Sequence, residues 1–163
     1  GLHTSYEAGI HPQKVGTEKK TLEEFTETVI TYNRNHFLNN REPADMQALA
    51  DAGITDDFSM GYADIAGFRL GTCRPVRWIN PATRTLTSLT LHSLTVMDVT
   101  LSEKRYMFMN AHDALQYCIS LIETAERFNG EISLLWHNNT VEKNASLYHR
   151  QLYKELLDYL HEK

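Results

Sequence analysis

Leu134-Leu135-Trp136-His137-Asn138 is the stretch that decides how the chain is read, because an apolar run ends abruptly in a histidine. Such a run is the pattern of a strand buried on both faces. A polar ring at its last residue then stands at the edge of the sheet, where α/β folds place their chemistry. Three other segments end alike: Gly1-Leu2-His3-Thr4, residues 29–36 ending in His36, and Leu94-Thr95-Val96-Met97-Asp98. Together the four endings predict a shared rim carrying histidines, Arg34 and an aspartate.

Around these endings the sequence alternates strand and helix signals. Thr21-Leu22-Glu23-Glu24 reads as a capping box for a helix that starts there or a turn earlier, near Thr17. Val29-Ile30-Thr31-Tyr32 is β-branched and aromatic, hence strand-like. Pro43 suits a first helical position, with Met46, Leu49 and Ala50 on one face and Gly53 as the stop. Residues 54–84 are punctuated by Gly61, Gly67, Gly71, Pro75 and Pro81, and read as a long ordered loop interrupted by short strands. Residues 89–99 are strand-rich. Asn110 then caps a helix whose face is Ala114, Leu115, Cys118, Ile119, Ile122 and Ala125, closed by Gly130. Residues 131–136 form the next expected strand, and Ser146 opens a last helix through Leu152, Leu156 and Leu160. The alternation predicts an α/β fold with parallel strands and crossover helices, in one domain spanning 1–163.

A formal net charge of -5 with no extended basic run argues against nucleic acid as a partner. No stretch approaches the roughly 20 apolar residues that a membrane span needs. Cys73 and Cys118 have no metal-knuckle spacing and read as buried thiols, which favours a reducing compartment such as the cytoplasm. Neither a dinucleotide fingerprint nor a phosphate loop is present. Asn138-Asn139-Thr140 and Asn144-Ala145-Ser146 match the glycosylation triplet, a pattern common by chance.

The segments Gly1-Leu2-His3-Thr4-Ser5-Tyr6, Arg34-Asn35-His36-Phe37-Leu38, residues 57–64, residues 67–73, Val96-Met97-Asp98 and Leu135-Trp136-His137-Asn138 resemble, in this order, the polysaccharide deacetylases of carbohydrate esterase family 4. The likeness is nearest to a divergent branch common in Bacteroidetes. The resemblance implies a distorted (β/α) barrel and a divalent metal, commonly zinc, held between an aspartate and two histidines. It also implies water attack on an acetamide carbonyl, a second aspartate as base, and a late-strand histidine that protonates the leaving amine. Carried over by position, His3 resembles the first metal histidine, and Glu7 stands where the second usually lies. His36 is the alternative ligand. Arg34 resembles the arginine that positions the base, Asp98 the acid that supports the late histidine, and His137 that histidine. Trp136, Tyr6 and Arg69 are the implied sugar contacts. The family's paired aspartates lie upstream of the position matching His3. The chain is therefore expected to be the C-terminal part of an incomplete barrel, with the base and one metal ligand on a missing upstream segment.

The residues by themselves leave alternatives open. A histidine at a strand end is as readily a structural group held by hydrogen bonds, and arginines such as Arg34 and Arg69 as readily form surface ion pairs. His11, His92, His112, His149 and His161 read as ordinary. The expected function is metal-dependent N-deacetylation of an acetylated sugar in a bacterial polysaccharide or its precursor. A non-catalytic carbohydrate-binding pseudoenzyme on the same scaffold is the alternative, and association through exposed strand edges is a third reading.

Overall fold

Leu2 and Thr4 are buried while His3 between them is exposed, the alternation of a strand with one covered face. That strand, β1 (Leu2–Thr4), pairs in parallel with β2 (Tyr32–Asn35), in the register Leu2↔Asn33, His3↔Arg34 and Thr4↔Asn35. Between them run α1 (Tyr6–Ile10), whose N-terminus is capped by the Ser5 side chain, and α2 (Lys14–Thr26). A turn at His36–Leu38 and α3 (Ala44–Asp51) lead to β3 (Asp56–Met60), parallel to β2. β4 (Val76–Asn80) and β5 (Thr85–Ser93) form an antiparallel hairpin whose second strand runs parallel to β3. The sheet order is β1-β2-β3-β5-β4. The structure, a computed structural model, describes residues 1–162. Its chain divides into two compact units, and this sheet with its helices is the first: Gly1–Met60 with Pro75–Ser93.

The second unit comprises Gly61–Arg74 and Leu94–Lys163. β6 (Val96–Met97) and β7 (Leu134–Leu135) form a short parallel ladder. α4 (Asp98–Ser102) follows β6 directly. α5 (Ala111–Arg127), a four-residue α6 (Asn138–Val141) and α7 (Leu147–His161) complete the unit. Its core packs Val96, Leu101, Ala114, Cys118, Leu152 and Leu156, with Ala66 from the long loop. Burial pushes the Cys118 thiol up to about 12, so it serves as a small apolar side chain.

The fold is mixed α/β, the class the alternating pattern predicts. Among the described residues no helix is long and apolar enough to cross a membrane. Asn110 caps α5 by accepting from the Asp113 N–H, and Ser146 caps α7 by accepting from His149. Several boundaries differ from expectation. α2 starts at Lys14, so Thr21 lies inside it and its hydroxyl donates to Thr17 O. Glu23 accepts instead from Lys19 and from the Ile30 N–H. The second strand begins at Tyr32 rather than Val29, which is exposed. The left-handed residue after α5 is Asn129, while Gly130 lies hard against Cys73. The run at residues 134–136 is half-buried, because β7 pairs on one side only, with β6.

Candidate functional site

The polar endings fall into two pairs, one in each unit. In the first unit, β1 and β2 are parallel and in register, so their C-terminal ends lie side by side. The His3 Nδ1–H donates to Arg34 O at 2.8 Å, which leaves the Nε2 lone pair free of a proton. That Nε2 accepts a hydrogen bond from the His36 Nδ1–H at 3.3 Å. Two nitrogens at this separation, each about 2.0–2.1 Å from one zinc ion, subtend roughly the tetrahedral angle. A second-sphere carbonyl on the other nitrogen of His3 is the usual support of a metal-ligating imidazole. The donor set therefore fits two of the ligands of a divalent metal. Glu7 points elsewhere, to Lys14 Nζ at 3.2 Å. Among the described residues no group of three or more His, Cys, Asp or Glu is gathered.

Alternation divides the functions of this sheet between its faces. His3, Arg34 and Phe58 share one face with Tyr32, around a shallow cleft of about 280 Å³. On the other face a polar row crosses three strands under the helices. Thr4 Oγ1 donates to Asn35 Oδ1, Asn33 Nδ2 donates to both Asn35 Oδ1 and Asp57 Oδ1, and the Ser59 hydroxyl and N–H donate to Asp57. Burial pushes the Asp57 carboxyl up, against the hydrogen bonds from Ser59 and Asn33 and the charge of Arg34. Burial likewise pulls the Arg34 guanidinium down, opposed by the Asp57 charge. Arg34 Nε also donates to Phe58 O at 3.2 Å. Sequence reasoning passed over this row; its signal is Asn33-x-Asn35 beside Asp57-x-Ser59, polar residues on one face of adjacent strands.

The turn after β2 is strained. Phe37 (φ 55°, ψ 20°) and Leu38 (φ 54°) are both left-handed, at about 1–2 kcal/mol each for L-residues. Asn side chains hold it: Asn35 Nδ2 donates to Asn39 O at 2.8 Å, and Asn39 Nδ2 donates to Gly9 O at 3.1 Å. A Cβ on Gly9 would stand 2.8 Å from that Asn39 nitrogen, so a side chain there would push the Asn39 amide aside. The Phe37 ring meets His36 at 4.4 Å and Tyr6 at 6.1 Å, and both Tyr6 and Phe37 are exposed.

In the second unit β6 and β7 end together, and Asp98 and His137 meet. Asp98 is fully buried and takes four donors: the Val99 N–H, the His137 N–H, the His137 Nδ1–H at 2.7 Å and the Thr140 hydroxyl. Burial alone would push this carboxyl up. Hydrogen bonds from Thr140 and from the backbone and ring of His137 outweigh it and hold Asp98 below the ordinary carboxylate value. The carboxylate thereby orients the imidazole and leaves Nε2 at a side chain that is 45% exposed. Such a ring can carry a proton to or from a bound molecule. Trp136 packs against the core and Tyr153, and Arg69 Nη1 donates to Gly61 O while lying over the Tyr62 ring. Of the histidines read as ordinary, His92 is held by Asp56 at 2.9 Å and stacked on Phe58. Comparison with protein-family models, with curated proteins and with solved structures finds no match.

Proposed function

We propose that the protein works in metal-dependent N-deacetylation of an acetylated sugar, in a bacterial polysaccharide or its precursor, on a distorted barrel of the polysaccharide deacetylase type. The observation that carries this reading is the Asp98–His137 pair, a half-exposed imidazole oriented by a fully buried carboxylate at the end of a parallel strand. In this reading His137 protonates the leaving amine from Nε2, while Asp98 holds the ring and balances the imidazolium charge. His3 and His36 hold the metal, commonly zinc in the family, and Arg34 anchors the face beside them. A bound divalent metal supplies Lewis-acid polarisation of the acetamide carbonyl. The reading also requires a carboxylate base and a further ligand, which the family places upstream of the position matching His3.

The test has two parts. Zinc titration calorimetry on this chain is expected to show one-to-one binding that His3→Ala and His36→Ala each abolish. A form of the protein that includes a carboxylate base and a further metal ligand is expected to release acetate from an N-acetylated oligosaccharide in a metal-dependent way, and His137→Ala to lower the rate at least about tenfold. Unchanged turnover in that variant overturns the role. The second reading, a carbohydrate-binding protein without turnover, is favoured by Glu7, which stands in place of the second metal histidine and pairs with Lys14. Glycan binding unaffected by chelator, with no acetate release, would decide for it.

A further inference from the structure

We propose that the Phe37 ring is a stacking platform for a pyranose ring of the substrate glycan, beside the residue held at His3 and His36. The inference rests on the deacetylase reading and names a specificity element within it. Phe37 is 78% exposed, on a backbone that L-residues rarely adopt, and Leu38 repeats the left-handed conformation. A turn needed only to reverse the chain would carry glycine or asparagine at such positions. Here Asn39 and Asn40 stand one step further on, and the strained positions hold a phenylalanine and a leucine. The turn is fixed from both sides, by Asn35 to Asn39 O and by Asn39 to Gly9 O, so the outward ring is imposed by the fold.

The surroundings select the occupant. Tyr6 stands at nearly a right angle to Phe37, at 89°, and the His36 ring meets it at 66° from the chain side. His36 in turn faces His3 Nε2. The ring is thus propped at steep angles by two neighbours that carry polar atoms, the His36 imidazole and the Tyr6 phenol. A pyranose has C–H groups on a flat face and hydroxyls around its edge, which matches an aromatic face with a polar border.

The experiment is a ¹⁵N NMR titration of the metal-free chain with the N-acetylglucosamine tetramer, on the parent, Phe37→Leu and Phe37→Trp. Backbone spectra of the free variants first establish that each is folded. Expected is binding that shifts residues 6 and 36–38, weakened at least about fivefold in Phe37→Leu and retained in Phe37→Trp. Equal affinity in Phe37→Leu, loss of binding in Phe37→Trp, or no binding by the parent overturns the platform. So does a sedimentation result in which Phe37 governs self-association and the tetramer has no effect. Zinc titration separates the two ideas. Phe37-dependent sugar binding with no zinc bound upholds the platform and defeats the metal reading, and zinc binding with Phe37-independent sugar binding does the reverse.

Discussion

Replacing Asp98 by Asn tests the geometry on which the acid–base reading stands. Both carboxylate oxygens of Asp98 accept from two donors, Val99 N–H and His137 Nδ1–H on one side, His137 N–H and the Thr140 hydroxyl on the other. An asparagine amide nitrogen in either place meets a backbone N–H and leaves it unpaired. Thr140 can fall back on His137 O at 2.7 Å, and the half-exposed imidazole can turn to water. The unavoidable loss is therefore one buried N–H, about 1–3 kcal/mol, plus the charge assistance of the remaining bonds, which brings the expected cost of Asp98→Asn to about 2–4 kcal/mol. Asp98→Ala removes the acceptor for all four donors and should cost about 3–5 kcal/mol.

The chain has two tryptophans, Trp78 in the first unit and Trp136 in the second. Urea unfolding followed by Trp136 emission in a Trp78→Phe background therefore reports on the unit that holds Asp98. The pH dependence has a definite sign. Because the folded Asp98 lies below its ordinary value, its stabilisation is complete above about pH 4 and is lost as pH falls through the folded value. The gap between parent and Asp98→Asn should therefore close in acid. A variant within about 0.5 kcal/mol of the parent at pH 7 would refute the four-donor arrangement.

Gly130→Ala should lower stability of the second unit by about 1–3 kcal/mol in the same assay, since the new Cβ would stand 2.6 Å from Cys73 O and 2.8 Å from its Cβ. Asp57 should give the opposite pH slope to Asp98. Its folded value is raised, so its contribution is complete below about pH 4 and is lost as pH rises through the folded value. Trp78 emission in a Trp136→Phe background should show the parent losing stability relative to Asp57→Asn over that rise, and parallel curves would contradict it.

The strand-end pattern was legible because burial and chemistry leave different marks on a sequence. His3 stands in β1, His36 and Asp98 directly after β2 and β6, and His137 two residues beyond β7, so each lies at a strand as expected, although β2 itself is polar rather than an apolar run. The residues alone did not show which ending meets which, because that depends on register; the Asp98–His137 pair was expected only through the resemblance. Leu2↔Asn33 brings His3 to His36, and Val96↔Leu134 brings Asp98 to His137. The second strand was misplaced for a related reason. Propensity favours Val29-Ile30-Thr31-Tyr32, but the ladder forms at Tyr32–Asn35, where the Nδ2 of the buried Asn33 donates to Asn35 Oδ1 and across to Asp57 Oδ1. A polar residue inside a sheet is invisible to a hydrophobicity pattern. The capping-box signal at Thr21 failed because α2 is nucleated further back, where Val15 is buried. The outward turn of Phe37 leaves no mark on composition at all.

The two buried aspartates show why one polar cluster is a candidate for chemistry and the other for architecture. Asp57 and Asp98 both have no exposed surface. Asp57 accepts hydrogen bonds from strand residues, Asn33 and Ser59, and burial leaves its carboxyl raised. Its network runs inward through Asn33 and Asn35 to Thr4, so it binds β1, β2 and β3 to one another and fixes the strand that carries Arg34 and precedes His36. Asp98 is held low by a hydroxyl and by both the backbone and ring of a histidine that reaches solvent. A charge stabilised in the interior and coupled to a half-exposed imidazole has a path to solvent, whereas Asp57 is enclosed among strand residues. Environments that drive two identical groups in opposite directions mark the Asp98–His137 pair, rather than Asp57, as the candidate for the acid–base role in the proposed function.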